Sequence, residues 1–496
     1  MKSALATPPE PATSQPASDV RSVREQRTEQ PLYATRIKVY PRKVDGFFRR
    51  VKWAVLGLCL AVYYAVPWIR WDRGPNAPDQ AVLIDMPGRR GYFFWVEIWP
   101  QEVYFLTGLL ILGAVGLFFV TAYFGRVWCG YACPQTVWTD LFMQVERWIE
   151  GDRNARIRLD KARWDGAKTL RKTVKHLAWI AIAAATGGAW VFYFADAPTT
   201  FVEIFTGRAS VTIYVFIGIF TAATYIFAGW AREQVCTYMC PWPRFQAAMF
   251  DEDSFIVSYR QARGEPRGKH KAGTGWEGRG DCIDCGGCVA VCPTGIDIRD
   301  GQQLECIGCG LCIDACNEVM DKVGRPRNLI AFDTLRAQQA AQSGTPHAHR
   351  WLRPRPMIYA GVLAIVASVM VAVLALRGDT ELHVLRDRAP LFVTLSDGSI
   401  RNGYTVKILN KAREPRSYEF VMTGLAQPRL TVVGDEERPS AERVTLTARP
   451  DSVATYRVYV AAPRSGREST PVEFSVRTAD RRVRAHQGSS FVSPKG

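Results

Sequence analysis

The sequence predicts a multi-domain membrane protein: an α-helical transmembrane bundle of five spans, a bacterial-type dicluster ferredoxin insert and a C-terminal all-β immunoglobulin-like sandwich. Three observations predict it. Five windows, at 53–68, 103–124, 177–194, 211–230 and 357–376, are apolar. Runs of roughly 18–22 such residues can cross ~30 Å of hydrocarbon. Eight of the 13 cysteines stand between residues 281 and 317, in two copies of one spacing. After the fifth window, short segments alternate apolar and polar residues, with turn signals such as Asp397-Gly398 and Asn402-Gly403 between them.

These features divide the 496 residues into five parts. Residues 1–50 form a disordered and basic N-terminal segment: 1–30 are rich in Pro, Ser, Thr, Gln and charge, and 31–50 are basic enough to lie against anionic lipid. Residues 51–250 form a four-span membrane domain. Its first window is broken by Cys59 and two tyrosines, and Cys59 belongs to no motif and reads as packing. The third window is rich in Ala and Gly, which lets helices approach closely. Tryptophans gather near the window ends, as in an interfacial belt. Residues 251–340 are the ferredoxin-like part, led in by a Gly-rich, flexible stretch at 261–280. Residues 341–378 hold the fifth span, with a linker over 338–356 before it. Residues 379–496 form the sandwich, with strands expected at 391–395, 403–409, 417–422, 429–433, 442–447, 455–460 and 472–476. This last part has no Cys and reads as a scaffold or docking module.

The net charge of +16 does not signal nucleic acid, because the basic residues lie in alternate loops. Residues 1–52, 125–176 and 231–356 are rich in Lys and Arg, whereas 70–102 and 195–210 are poor. That is the positive-inside pattern. It predicts a multi-pass membrane protein, with the N-terminus, the middle loop and the cysteine-rich segment in the cytoplasm and the residues after 378 outside, which is the periplasm if the membrane is the inner membrane of a Gram-negative bacterium. The first apolar run starts too late for a cleavable signal peptide.

The eight clustered cysteines read C-x2-C-x2-C-x3-C twice: Cys282, Cys285, Cys288, Cys292, then Cys306, Cys309, Cys312, Cys316. This is the run that wraps two [4Fe–4S] clusters, the fourth Cys of each run ligating the other cluster. One cluster is therefore assigned to Cys282, Cys285, Cys288 and Cys316, the other to Cys306, Cys309, Cys312 and Cys292. Gly286, Gly287, Gly308 and Gly310 sit where the chain must turn tightly. Zinc sites use C-x2-C pairs with longer spacers, and disulfides need an oxidising compartment. The second run departs from the pattern in ending Cys316-Asn317 rather than Cys-Pro.

A weaker repeat closes the second and fourth spans. Phe124-Gly-Arg126 leads to Cys129 and Cys133-Pro134, and Trp230-Ala-Arg232 leads to Cys236 and Cys240-Pro241. Cysteines four apart share a helix face about 5–6 Å apart, long for a disulfide but suited to two thiolates around a soft ion such as Cu(I). The proline disfavours helix at the preceding Cys and can start a new one. The competing reading is a set of buried structural thiols; recurrence at equivalent helix ends favours function. No span carries a His pair for haem, and no G-x-G-x-x-G or P-loop signals a nucleotide. His347 and His349 read as a solvated linker, and Asp196, Glu203, Glu97 and Glu102 as solvated acids at span ends.

The order of parts resembles the FixG/RdxA/CcoG family, accessory proteins for assembly of the cbb3-type cytochrome c oxidase. The resemblance runs from about residue 33 to about residue 492 and rests most on 127–134, 234–242 and 282–316. The four-span part is also similar to membrane electron-transfer proteins of the NapH and NosR type. The resemblance implies a cupric reductase that turns Cu(II) into Cu(I) for the haem–copper centre. It matches Cys129, Cys133, Cys236 and Cys240 to the paired motifs and the eight clustered cysteines to the cluster ligands. Expected partners are membrane lipid, oxidase subunits or copper-delivery proteins, a cytoplasmic electron donor that the sequence does not identify, and a second copy of the chain as a homodimer. Two rivals stand beside it: a quinol-linked subunit that passes electrons to a partner reductase, and a non-enzymatic assembly scaffold with an iron–sulfur sensor.

Overall fold

Among the described residues, five helices are long and apolar enough to cross a membrane: Phe47–Trp68, Pro100–Phe124, Gly166–Val191, Val211–Ala231 and Pro354–Leu376. They are the five expected windows. The computed structural model describes residues 38–75, 77–270, 275–346, 348–434, 441–464, 466–478 and 482–494. The disorder expected over 1–30, and His347, lie outside them. The third helix starts at Gly166, well before its apolar window. Asp165 caps it, accepting from the Lys168 amide at 2.7 Å. Two of its early lysines, Lys168 and Lys175, are buried because they have partners. Lys168 donates to the Ala162 carbonyl at 2.6 Å, and Lys175 meets Glu150 at 2.9 Å.

Small residues bring the spans together. Gly108 of the second span lies against Met370 of the fifth with no room for a Cβ. A Cβ on Gly187 of the third would come within 2.7 Å of the Ile217 carbonyl of the fourth. The chain between the first two spans, expected as a loop, is a three-stranded antiparallel sheet of Val82–Asp85, Arg90–Phe93 and Val96–Ile98. Buried Arg73 holds its approach, donating to the Gln80 carbonyl at 2.7 Å and the Phe94 carbonyl at 2.9 Å.

The ferredoxin part sits at one end of the bundle. Its two short helices, Gly287–Val291 and Leu311–Lys322, pack over a two-stranded sheet of Ile256–Tyr259 and Ile330–Asp333. Both expected linkers make fixed contacts at some described residues, although 341–346 and 350–352 are exposed. In 261–280, Gly264 and Gly280 meet backbone to backbone, and Arg263 pairs with Asp281 at 2.6 Å. In 338–356, the helix Leu335–Ser343 runs into the stretch, and buried Arg353 donates to the Ala122 carbonyl at 3.1 Å.

The sandwich caps the opposite end. One sheet runs Arg429–Val432, Ser452–Ala462, Ile400–Asn410, Thr380–Arg386, with Val393–Thr394 also paired to Ile400–Asn410. The other runs Arg443–Ala448, Arg416–Thr423, Ser469–Arg477, Val483–Val492. Tyr404, Tyr418, Phe420, Phe474 and Phe491 fill the space between. Sequence pattern missed Thr380–Arg386, which follows the fifth span closely, and Val483–Val492, an edge strand with few apolar residues. The expected strand at 391–395 is only Val393–Thr394. The sandwich is tied to the membrane domain by ion pairs. Lys411 meets Glu102 at 2.6 Å and Arg90 meets Asp451 at 2.6 Å. Glu102, expected as a solvated acid, is 2% exposed because Lys411 and Arg377 neutralise it.

Candidate redox centre

Two cavities in the ferredoxin part are lined by cysteines from both runs. One is lined by Cys282, Cys285, Cys288 and Cys316. The other is lined by Cys292, Cys306, Cys309 and Cys312, with Cys288 on its wall. The local backbone explains the crossing. Each run turns through a left-handed glycine, Gly286 (φ 64°) or Gly310 (φ 70°), that opens a helix. In the first run that helix ends at Val291 and Cys292 becomes extended; in the second it runs on through Cys316, one turn past Cys312.

Burial pushes the Cys288 thiol up to about 11, Cys306 and Cys316 up to about 12, and Cys312 upward. Such thiols ionise only when a bound cation replaces the lost hydration. Among the described residues no three His, Cys, Asp or Glu side chains converge tightly enough for a single metal ion. A cube of iron and sulfide takes one thiolate at each spread-out iron, and these two cavities fit that demand. Cys285 is the one exposed cysteine of the eight, and Cys309 is buried toward the membrane domain.

Cys129, Cys133, Cys236 and Cys240 line one further cavity, of about 220 Å³, beneath the chain at Leu304–Ile307. The two motifs that are about a hundred residues apart thus converge, yet not as two helical faces. Cys129 lies in the helix Val127–Tyr131, but Cys133 is extended and precedes the helix Pro134–Glu150. Cys236 lies in a π-helical turn, Val235–Met239, and Cys240 is extended before Pro241. The expectation of a shared helix face is corrected for the second cysteine of each pair. The following proline excludes helical backbone there. Pro134 takes the first position of the next helix. Burial, with the neighbouring thiols, pushes Cys129 up to about 12 and Cys236 up to about 11, while Arg126 draws both down. The Cys129 thiol donates to Gln246 Oε1 at 3.2 Å, and buried Gln246 donates in turn to the Thr121 hydroxyl at 3.2 Å.

This cavity and the second ferredoxin run share a wall. Arg126 donates to the carbonyls of Leu304, of Cys306 at 3.0 Å and of Pro243 at 2.5 Å. A Cβ on Gly130 would come within 2.8 Å of the Ile307 carbonyl. Asp314, from the second run's helix, accepts the amides of Phe48 and Arg49 at 3.2 and 2.8 Å, capping the first span. Arg126 was visible in the sequence repeat, but its partners were not. Its counterpart Arg232 turns away, to Glu146 at 3.0 Å. Gln246 and Tyr131 carried no sequence signal, because each acts through contacts distant in the chain. His349 packs on Phe255 and Trp351, with ring centres 4.6 and 4.5 Å away.

Comparison with known proteins matches this geometry part by part. Residues 231–335 match a family model described as a 4Fe-4S dicluster domain. Residues 106–154, which hold Cys129 and Cys133, match a 4Fe-4S binding domain. Residues 370–494 match the IG-like fold at the C-terminus of FixG. Protein RdxB of Cereibacter sphaeroides is 50% identical over 468 residues, 93% of this chain and 97% of that protein. Nitrogen fixation protein FixG of Rhizobium meliloti is 50% identical over 474 residues, 90% of each. Protein RdxA of Cereibacter sphaeroides is 49% identical over 444 residues, 89% of this chain and 92% of that protein. With five long apolar helices among the described residues, two cavities each lined by cysteines of both runs, and near full-length relatives, the chain belongs to the FixG/RdxA family of membrane iron–sulfur proteins.

Proposed function

We propose that this protein is a membrane-bound cupric reductase, supplying Cu(I) for assembly of the cbb3-type cytochrome c oxidase. One observation carries the reading: four thiols from two distant motifs line one cavity that shares a wall with the Cys306–Cys309 loop. The name of the Rhizobium relative, a nitrogen fixation protein, supports a role tied to that process.

When bound, the two clusters carry electrons one at a time. In this reading Cys282, Cys285, Cys288 and Cys316 hold one and Cys292, Cys306, Cys309 and Cys312 the other. Exposed Cys285 marks where a cytoplasmic donor meets the protein. Arg126 and Tyr131 hold the inner loop against the third cavity. Cys129, Cys133, Cys236 and Cys240 receive the substrate copper. Cu(II) takes up one electron, and the soft Cu(I) that results is held by two of these thiolates, which shed their protons on binding it. The positive-inside pattern supports a cytoplasmic ferredoxin side and a periplasmic sandwich, the latter docking oxidase subunits or copper carriers. Anaerobic titration of reduced, purified protein with Cu(II) tests the reading. Stoichiometric formation of Cu(I) supports it; reduced clusters that stay reduced contradict it.

A further inference from the structure

We infer that the chain binds an isoprenoid hydroquinone in a cavity between the ferredoxin-side ends of the third and fourth spans, as a second electron donor to the four-thiol site. The cavity measures about 690 Å³, within the ~300–1,000 Å³ of small-molecule sites. Aromatic rings build it. The His176 ring lies nearly parallel to Trp230, 5.7 Å between centres, and edge-on to Trp179 at 5.2 Å. His176 Nδ1 is engaged with the Tyr225 hydroxyl at 2.9 Å, which leaves Nε2 for a ligand oxygen. Leu177, Ile180 and Trp230 line the cavity and are exposed at the bundle surface, where a prenyl tail would lie in lipid.

The charges argue for a neutral, redox-active ring rather than an anionic headgroup. Every cation lining the cavity already has an acidic partner: Lys38 has Asp160, Lys172 and Lys175 have Glu150, and Arg232 has Glu146. A phosphate would find no unpaired charge. The same pairs form a continuous chain of ionisable groups leading out of the cavity. Glu146 meets Lys175 at 3.7 Å, Lys175 meets Glu150 at 2.9 Å, and Glu150 meets Lys172 at 3.0 Å. Lys172 meets Asp160 at 2.6 Å, and Asp160 meets Lys38, 46% exposed, at 2.6 Å. On the other side, Arg232 and Glu233 line this cavity while Val235 and Cys236 line the thiol cavity. Gln135, on the thiol side, donates to the Arg232 carbonyl at 3.1 Å. One stretch of chain therefore separates the ring from the thiols.

The inference rests on the cupric reading for its electron acceptor. One hydroquinone and two Cu(II) give one quinone, two Cu(I) and two protons. The two O–H bonds of the ring break, one electron goes to each copper ion, and the protons leave along the Glu146-to-Lys38 chain.

The test uses full-length, cluster-loaded protein in lipid nanodiscs, with a decyl-chain benzohydroquinone and its quinone. Binding is followed by equilibrium titration, and copper reduction with either the hydroquinone as donor or clusters reduced beforehand by dithionite, the excess removed before copper is added. Saturable binding is expected, weakened at least ten-fold by Trp230→Ala and by His176→Ala. Both variants should lose hydroquinone-driven copper reduction and keep the dithionite-driven reaction. Lys172→Met should keep binding and slow the hydroquinone-driven reaction several-fold. No saturable binding, binding untouched by both variants, or equal displacement by phosphatidylglycerol overturns the inference, even with copper still reduced from dithionite. Binding that is lost in Trp230→Ala, with no copper reduced from either donor, overturns the cupric reading and leaves the quinone site standing.

Discussion

The Tyr131 hydroxyl donates to the Cys309 carbonyl at 3.0 Å, and this bond seats the second ferredoxin run on the turn that carries Cys129 and Cys133. Next to it, Gly130 leaves no space: a Cβ would stand 2.8 Å from the Ile307 carbonyl and 3.0 Å from the Cys309 Cα. Backbone atoms cannot yield as a side-chain tip can. Gly130→Ala should therefore lower stability by about 1–3 kcal/mol, as overpacking does. It should also slow electron delivery to copper without changing the iron content. A thermal melt with an iron assay checks this; an unchanged melting temperature would show that the two parts are not held in contact here.

The crossed cavities make a prediction about iron. Cys316→Ser should remove the cluster held by Cys282, Cys285 and Cys288 and spare the other, taking iron from about eight to about four per chain by the ligand count. Electron paramagnetic resonance of the reduced variant, paired with Cys292→Ser, distinguishes the two. Loss of the same cluster in both variants would reject the assignment.

Topology is open to a reporter that is active only in the periplasm. Fused after Gly378, between the fifth span and the sandwich, it should be active. Placed after Gly344, ahead of that span, it should be silent. The reverse pattern would move the cysteines to an oxidising side and undo the redox argument with it.

The seam between membrane domain and sandwich should depend on pH. Glu97 and Asp451 share one guanidinium, Arg90, at 3.2 and 2.6 Å. Burial and the Asp451 charge push the Glu97 carboxyl up from 4.5 to about 7, against the pull of Arg90. Between those values the folded protein binds more protons than the unfolded chain, so stability falls as pH rises through that window and stays reduced above it. Glu97→Gln should raise the melting temperature at pH 8 and leave it unchanged near pH 4. A gain of equal size at both values would mean that titration of Glu97 plays no part.

Periodicity and spacing made much of this architecture legible. The five spans follow from apolar length, and the pairing of Cys316 with the first run follows from the C-x2-C-x2-C-x3-C pattern. Proline after Cys133 and Cys240 foretold a break in the helix, though not that each second cysteine would leave it altogether. What stayed hidden depends on contacts remote in sequence. Glu102 looks like a solvated acid until Lys411, three hundred residues on, covers it. Gly264 and Gly280 look like a flexible lead until their backbones meet. Val483–Val492 pairs through its backbone with Ser469–Arg477, so its few apolar side chains gave little to read.

The central claim is that Cys129, Cys133, Cys236 and Cys240 are where copper is reduced. The direct test is anaerobic stopped-flow reoxidation of the reduced clusters by Cu(II), in wild type and in the double variants Cys129→Ser/Cys133→Ser and Cys236→Ser/Cys240→Ser. The account predicts full iron content in all three proteins, one Cu(I) formed per electron in wild type, and reoxidation slowed at least ten-fold with copper binding lost in both variants. Variants that bind and reduce copper at the wild-type rate would contradict it and leave these four thiols a structural role.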